Sequence, residues 1–307
     1  MKADHELAII GGGPAGLTAG LYASRAKLNS LLIEKGLIGG QIVNAELVEN
    51  YPGFPEAISG YDLAEAMHQQ ATKYGLQQLD GEVIKVSTDG PNKVLHLAGG
   101  EALRARAVIV ASGSERKKLA IPGEDKLVGK GVSYCATCDG AFFADQQVVV
   151  VGGGDSAVSE ALFLTRFASK VTIVHRRDQL RATKILQERA FADPKIALLW
   201  DSVPEEVLGD EAMSGLKVRN VRTGEQSVLE AQGIFIYAGL TPNTHCVRDL
   251  LSLDETGNVI TDDTMATTAS GVFAAGDVRA HSGRQAIIAA GDGARAVLST
   301  ERFLQNA

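Results

Sequence analysis

Two stretches of the chain repeat one pattern of apolar, glycine and polar positions. Residues 10–34 read IGGGPAGLTAGLYASRAKLNSLLIE, and residues 151–175 read VGGGDSAVSEALFLTRFASKVTIVH. Aligned without a gap, they match at three glycines, in size at Ala15/Ser156 and Gly16/Ala157, and at Arg25/Arg166. Each begins at the end of a short apolar run, turns through glycine, continues with apolar residues at helical spacing and closes on a second apolar run. Unbroken apolar runs of this length suit strands covered on both faces, as in a parallel sheet. The pattern predicts a strand at Ala8–Ile10, a helix from about Pro14 to Ala26 and a strand at Leu31–Glu34, with counterparts within Gln147–Val174.

The same reading extends along the chain. A helix is expected over about Gly60–Tyr74, where Leu63, Ala66, Met67 and Ala71 fall on helical spacing. Gly81–Leu97 alternates as strands do, and Ala107–Ala111 reads as another buried strand. Further strands are expected near Ile196–Trp200, Gly215–Arg222, Gly233–Tyr237 and Gly271–Ala274, and a last helix over about Arg284–Leu304. Gly36–Gly60, rich in Gly, Pro and Asn, is too long for an ordinary connection and is read as functional. The polar segment Ser114–Lys118 and the turn-rich Gly239–Asn243 flank the second repeat as crossovers.

A strand, a glycine turn, a helix and a second strand form the unit that receives a dinucleotide pyrophosphate. The first glycine allows the tight turn, the second lets backbone approach the phosphates, and the third lets helix pack on strand. Two units predict two dinucleotides. The expected fold is α/β with two Rossmann-like dinucleotide-binding domains, the second inserted into the first. Residues 1–115 and 245–307 would form one domain and 116–244 the other. The residue closing each repeat separates the ligands. Glu34 is an acid placed for a free ribose, which suits FAD or NAD. Its counterpart is His175, followed by Arg176, Arg177 and Arg181, which suits a ribose 2′-phosphate and therefore NADPH.

Composition narrows the partners. The 307 residues carry a formal net charge of -7, against a nucleic-acid partner. A hydrophobic content of 45% fits two ordinary cores. No apolar run approaches bilayer length, and MKADHELAII shows no signal-peptide core, so a cytoplasmic protein off the membrane is expected. The three cysteines are Cys135, Cys138 and Cys246. The first two stand at C-x-x-C spacing in GVSYCATCDGAFF. Three readings of that pair stand open. A redox dithiol would use the thiolate as nucleophile, with Asp139 beside it to carry protons. A zinc site would need two more ligands, for which His245 and Cys246 are the candidates. Inert buried thiols are the third, and that is also the reading for Cys246.

Taken together, these motifs resemble the low-molecular-weight thioredoxin reductases. The resemblance spans essentially the whole chain. It rests on GGGPAG at 11–16, GGQ at 39–41, ENYPGF at 49–54, CATCDG at 135–140, GGGDSA at 152–157, HRRDQLRA at 175–182, GVFAAGDV at 271–278 and RQAIIAAGDG at 284–293. It implies FAD held by Gly11, Gly13, Ala15, Gly16, the segment from Glu34 through Gly39 and Gly40 to Gln41, Asn50, backbone near Val83, Gly113, Asp277, Arg284, Gln285 and Ala286. It implies NADPH held by Gly152, Gly154, Asp155, Ser156, His175, Arg176, Arg177 and Arg181. Cys138 would receive electrons from the flavin, Cys135 would attack the disulfide of thioredoxin, and Asp139 would be the acid/base. No metal is implied. The family pattern also implies a homodimer, and rotation of the inserted domain about linkers near 114–118 and 241–245. Two positions depart from the pattern: Ser159-Glu160 stands where two acids are usual, and DVRAHSGR at 277–284 is slightly long. The alternatives are a related enzyme with an NADH or ferredoxin donor, a dithiol oxidase, a peroxidase-system reductase, or a dinucleotide sensor without catalysis.

Overall fold

The computed structural model describes residues 3–45 and 47–306. The chain divides into two compact units. One contains the residues up to Glu115 and those from Thr241 on, and the other runs from Arg116 to Leu240. The second is thus inserted into the first.

In the discontinuous unit, five strands run parallel in the order Gln77–Asp80, Ser30–Glu34, His5–Ile10, Ala102–Val110 and Val272–Ala274. Ala102–Val110 is long enough to serve two neighbours on one edge. Its second half pairs with Val272–Ala274, and its first half pairs antiparallel with Asn92–Leu97, which in turn pairs with Val83–Asp89. The apolar runs are covered on both faces, as their composition predicts. Leu7, Ile9, Leu32 and Ile109 enter one cluster, while Ala8, Ile10, Ile33 and Val108 enter another on the opposite face. Cys246 is packed in the second of these clusters.

The inserted unit repeats this plan. Its parallel order is Ile196–Leu199, Lys170–Val174, Gln147–Val151, Gly233–Ile236 and Val132–Ser133. An antiparallel meander of Ser202–Gly209, Met213–Asn220 and Gln226–Glu230 follows. Both units therefore place the glycine-turn strand at the centre of five parallel strands, at the switch point where nucleotides bind. The connections themselves pair, Ser114–Arg116 with Leu240–Pro242.

Helices cover the sheets. Pro14–Arg25 follows the first glycine turn, and Gly60–Lys73 starts at Ser59, whose hydroxyl accepts the Asp62 N–H at 3.0 Å and donates to its carboxylate at 2.7 Å. The final helix, Ala286–Asn306, lies against Pro14–Arg25 where Gly293 meets the Ala15 carbonyl; a Cβ at Gly293 would overlap that oxygen. Gln77–Asp80 has no apolar signature because this edge strand is mostly exposed. The helix Lys184–Ala192 buries only Ala190, which explains its weak periodicity. No helix among the described residues is long and apolar enough to cross a membrane.

Candidate functional site

In the discontinuous unit, the strand His5–Ile10 runs into Gly11, whose φ is +107°. A Cβ on Gly11 would overlap the Ala111 carbonyl oxygen, and one on Gly16 would overlap that of Gly11. These two glycines let turn and helix close onto the sheet. Gly13 is different, because a Cβ there would come no nearer than 3.9 Å to any neighbour. That open space fronts the first N–H groups of Pro14–Arg25, which no side chain caps. Uncapped N–H groups at a helix start attract phosphate.

Glu34 closes the cradle. One carboxylate oxygen accepts the Gly12 N–H at 2.6 Å and the other accepts the Gly36 N–H at 2.8 Å. Lone pairs remain for ribose hydroxyls. The Gly39 N–H bonds the Gly12 carbonyl at 2.8 Å, and a Cβ on Gly40 would stand 3.0 Å from Gly13 Cα, so GGQ walls the same space, with Gln41 exposed. Asn50 Nδ2 donates to Gln285 Oε1 at 2.9 Å, which ties the long excursion to the start of the final helix. Asp277 accepts the Ser282 hydroxyl at 2.9 Å; burial raises its pKa, against the opposing pull of that bond and of Arg284. Arg284 is exposed at a φ of 53°, with its N–H on Ser282 Oγ at 3.2 Å. The Gly113 carbonyl accepts the Asn243 N–H at 3.0 Å. Val83 is a core residue, two positions after Gly81, whose N–H bonds the Glu34 carbonyl.

The inserted unit has an equivalent turn. Gly152 has a φ of +146°, and a Cβ there would stand 2.7 Å from the Tyr237 carbonyl oxygen. A Cβ on Gly153 would overlap the His175 ring, whereas Gly154 has nothing within 4 Å of such an atom. The open position thus falls again at the third glycine, ahead of the uncapped helix Asp155–Leu164 with Ser156 in its first turn. His175 is buried under Gly153. Burial lowers its pKa, and Arg181, Arg177 and Arg176 lower it further. The loop after His175 is tied back to the turn: the N–H groups of Arg181 and Ala182 bond the Gly153 carbonyl at 2.6 and 3.1 Å. Asp155 Oδ1 accepts the Thr183 N–H at 2.6 Å, so its carboxylate also fastens this loop. The side chains of Arg176, Arg177 and Arg181 are exposed, with no ion pair to an acid among the described residues.

The C-x-x-C turn stands at the ends of two parallel strands of the same unit. Cys135 and Cys138 form a disulfide across the short helix Ala136–Asp139, with their Cα atoms 5.4 Å apart. Cys135 is half-buried and Cys138 exposed. Cys135 Sγ accepts the Cys138 N–H at 3.2 Å. Asp139 donates its N–H to the Cys135 carbonyl at 3.1 Å, and its carboxylate accepts the Ser133 hydroxyl at 2.6 Å. Ser133 Oγ accepts the Cys135 N–H at 3.0 Å, and the Tyr237 hydroxyl accepts the Ala136 N–H at 3.2 Å.

Residues 5–293 match the family described as Pyridine nucleotide-disulphide oxidoreductase. The chain belongs to this family. It is 48% identical over 302 residues to the thioredoxin reductase of Listeria monocytogenes, covering 98% of this chain and 94% of that one. It is 50% identical to that of Streptomyces coelicolor over the same shares. The crystal structure of Lactococcus lactis thioredoxin reductase in its FR conformation superposes with a TM-score of 0.97 at 45% identity, covering 99% of this chain and 100% of that one. Within the pyridine nucleotide-disulphide oxidoreductases, the chain therefore groups with the thioredoxin reductases, as its motifs suggest. Members of this family are flavoproteins that work with a nicotinamide nucleotide.

Some of the predicted residues come together in three places: the Gly11–Gly16 cradle with Glu34, the Gly152–Ser156 turn with His175 and its arginines, and the disulfide with Asp139. Of the two candidate zinc ligands, Cys246 is buried in a core of the discontinuous unit, and His245 faces Glu82 at 3.9 Å. Sequence reasoning missed Ser133, Tyr237 and Arg116, whose guanidinium lies 4.3 Å from the centre of the Tyr237 ring. A tyrosine directly after the apolar strand GIFI, level with the glycine turn, was the available signal.

Proposed function

We propose that this protein is an NADPH-dependent, FAD-containing reductase of thioredoxin. The observation that carries this reading is the coexistence of two open glycine cradles and a C-x-x-C disulfide in one chain. FAD fits the cradle ending in Glu34: the space at Gly13, the uncapped helix start and a carboxylate with spare lone pairs suit pyrophosphate and ribose. NADPH fits the cradle ending in His175, where three exposed arginines replace the acid and can pair with a 2′-phosphate. Bound FAD supplies two-electron chemistry between a nicotinamide hydride and a disulfide.

The protein's own residues then carry the electrons out. Two electrons and two protons open the Cys135–Cys138 bond to a dithiol, with Asp139 placed to pass protons. The Cys135 thiolate attacks the thioredoxin disulfide to form a mixed disulfide and release one thioredoxin thiolate. Cys138 then attacks Cys135 Sγ, restoring the internal disulfide and releasing the second thiol of reduced thioredoxin. Exposed guanidiniums at Arg176, Arg177 and Arg181 favour NADPH over NADH as donor. Rotation of the inserted unit about its paired connections would separate the two half-reactions. We place the enzyme in the cytoplasm as a homodimer.

Anaerobic titration tests the reading. The purified yellow protein should bleach with NADPH at far lower concentration than with NADH, and recover its colour when oxidised thioredoxin is added. Failure to bleach, or recovery without thioredoxin in the absence of oxygen, overturns it.

A further inference from the structure

Two hydroxyl groups grip the redox turn from the sheet beneath it. Ser133 ends the strand Val132–Ser133, and Tyr237 follows the neighbouring parallel strand Gly233–Ile236, in which Phe235 is the register partner of Ser133. The side chain of Ser133 accepts the N–H of Cys135, and that of Tyr237 accepts the N–H of Ala136. Two consecutive N–H groups of the turn thus end on two side-chain oxygens supplied by adjacent strands. Ser133 and Ala136 are buried, and Cys135 and Tyr237 are half-buried, so these donors have limited recourse to water. Each hydroxyl also has a second connection. The Ser133 hydrogen goes to the Asp139 carboxylate at 2.6 Å. Tyr237 carries the Arg116 guanidinium over its ring at 4.3 Å, and its backbone N–H bonds Val151, the residue before Gly152.

We propose that Ser133 and Tyr237 are positioning residues for the disulfide step, an inference that rests on the redox role assigned to Cys135, Cys138 and Asp139 above. They hold the backbone of the redox turn in register with the glycine turn, and Ser133 also fixes the carboxylate that passes protons. Neither touches the reacting sulfurs. Their removal frees two N–H donors that a thiolate accepts more readily than a disulfide does, so the reduced turn gains relative to the oxidised one. The dithiol then becomes a weaker reductant of thioredoxin.

The experiment uses the FAD-loaded enzyme and its variants Ser133→Ala and Tyr237→Phe, the second of which keeps the ring under Arg116. Three quantities are read: the rate with NADPH and ferricyanide, which needs flavin but no disulfide; kcat and KM with oxidised thioredoxin; and the equilibrium of the Cys135–Cys138 couple against a glutathione buffer. Both variants should keep the ferricyanide rate and the KM for NADPH. They should lose about tenfold in kcat with thioredoxin, of the order expected when reacting atoms are displaced slightly. The dithiol equilibrium should move toward the reduced form by a factor of up to about ten, corresponding to about 30 mV in the positive direction. The double variant should lose less than the product of the single losses, because both act on one turn. An unchanged thioredoxin rate, a move of the couple toward the disulfide, or a parallel fall of the ferricyanide rate overturns the proposal. If the unmodified enzyme itself fails to pass electrons from NADPH, it is the functional reading above that fails.

Discussion

His175 shows how one residue can serve a site while standing under it. Its ring underlies Gly153, its Nε2 is buried without a partner, and it is kept neutral by burial and by three arginines. Its folded pKa is depressed, so it contributes stability above the unfolded value of about 6.5 and loses it as pH falls toward the folded value. Between the two values the unfolded chain binds a proton that the folded chain refuses. Denaturant titrations from pH 7.5 to 5 should therefore show a stability slope, at most about 1.4 kcal/mol per pH unit for this group, that is reduced in His175→Gln. The side chains of these arginines are exposed, which leaves them available to a ligand as well. Arg176→Ala combined with Arg177→Ala should raise the KM for NADPH by about ten- to a hundredfold, the loss of one or two charge-assisted contacts, and barely change that for NADH. Equal effects in steady-state kinetics on both nucleotides would sink the 2′-phosphate assignment.

Among the elements, the helix Pro14–Arg25 is the most constrained. Its first turn leaves open space at Gly13, lies on Gly11 at Gly16, and accepts the final helix at Ala15. Ala15 is pressed from two sides: a Cβ on Gly276 would stand 3.0 Å from its own, and one on Gly293 would overlap its carbonyl oxygen. Close approach of the two helices thus brings the segment from Gln285 onward beside the cradle. Gly293→Ala should force them apart, at a cost of about 1–3 kcal/mol from overpacking. Thermal unfolding should fall by about 2–4 °C per kcal/mol, and flavin should be released at a lower temperature than in the unmodified protein. A retained melting temperature would show that the contact is not critical. Of this arrangement, the glycine triplet and Glu34 were legible in the sequence, because turn geometry and helix start are local. The counterpart Gly293 was visible only as part of a motif, because what it meets lies far away along the chain.

At the scale of the molecule, the chain is one plan used twice. Each unit has five parallel strands centred on its glycine-turn strand, and the two crossings between units fall at neighbouring strands, Ser114–Arg116 and Leu240–Pro242. Arg116, the first residue of the inserted unit, sits over Tyr237, so the crossing is packed against the residue that holds the redox turn. If the inserted unit rotates between half-reactions, a cross-link joining the two units should abolish turnover with thioredoxin while leaving one half-reaction intact in stopped-flow traces. Survival of both half-reactions in a single locked form would rule out the rotation.

By itself, the sequence determined the α/β class, the doubled strand–turn–helix unit and the cysteine pair, and it raised the expectation of two ligand types. Each of these is written in local spacing: apolar runs for buried strands, glycine where backbone must turn sharply, acid or arginine where a ribose must be met. It was weaker at Gln77–Asp80 and Lys184–Ala192, which expose most of their residues and so lack an apolar period. Only the tertiary structure decided which distant groups meet. It set Asn50 on Gln285, fastened Asp155 to the arginine loop, buried Cys246 in a core of the discontinuous unit, and placed the hydroxyl of Tyr237 on an N–H group of the redox turn. The reason is physical: a hydrogen bond between residues a hundred positions apart depends on sheet order and register, and no local pattern records either.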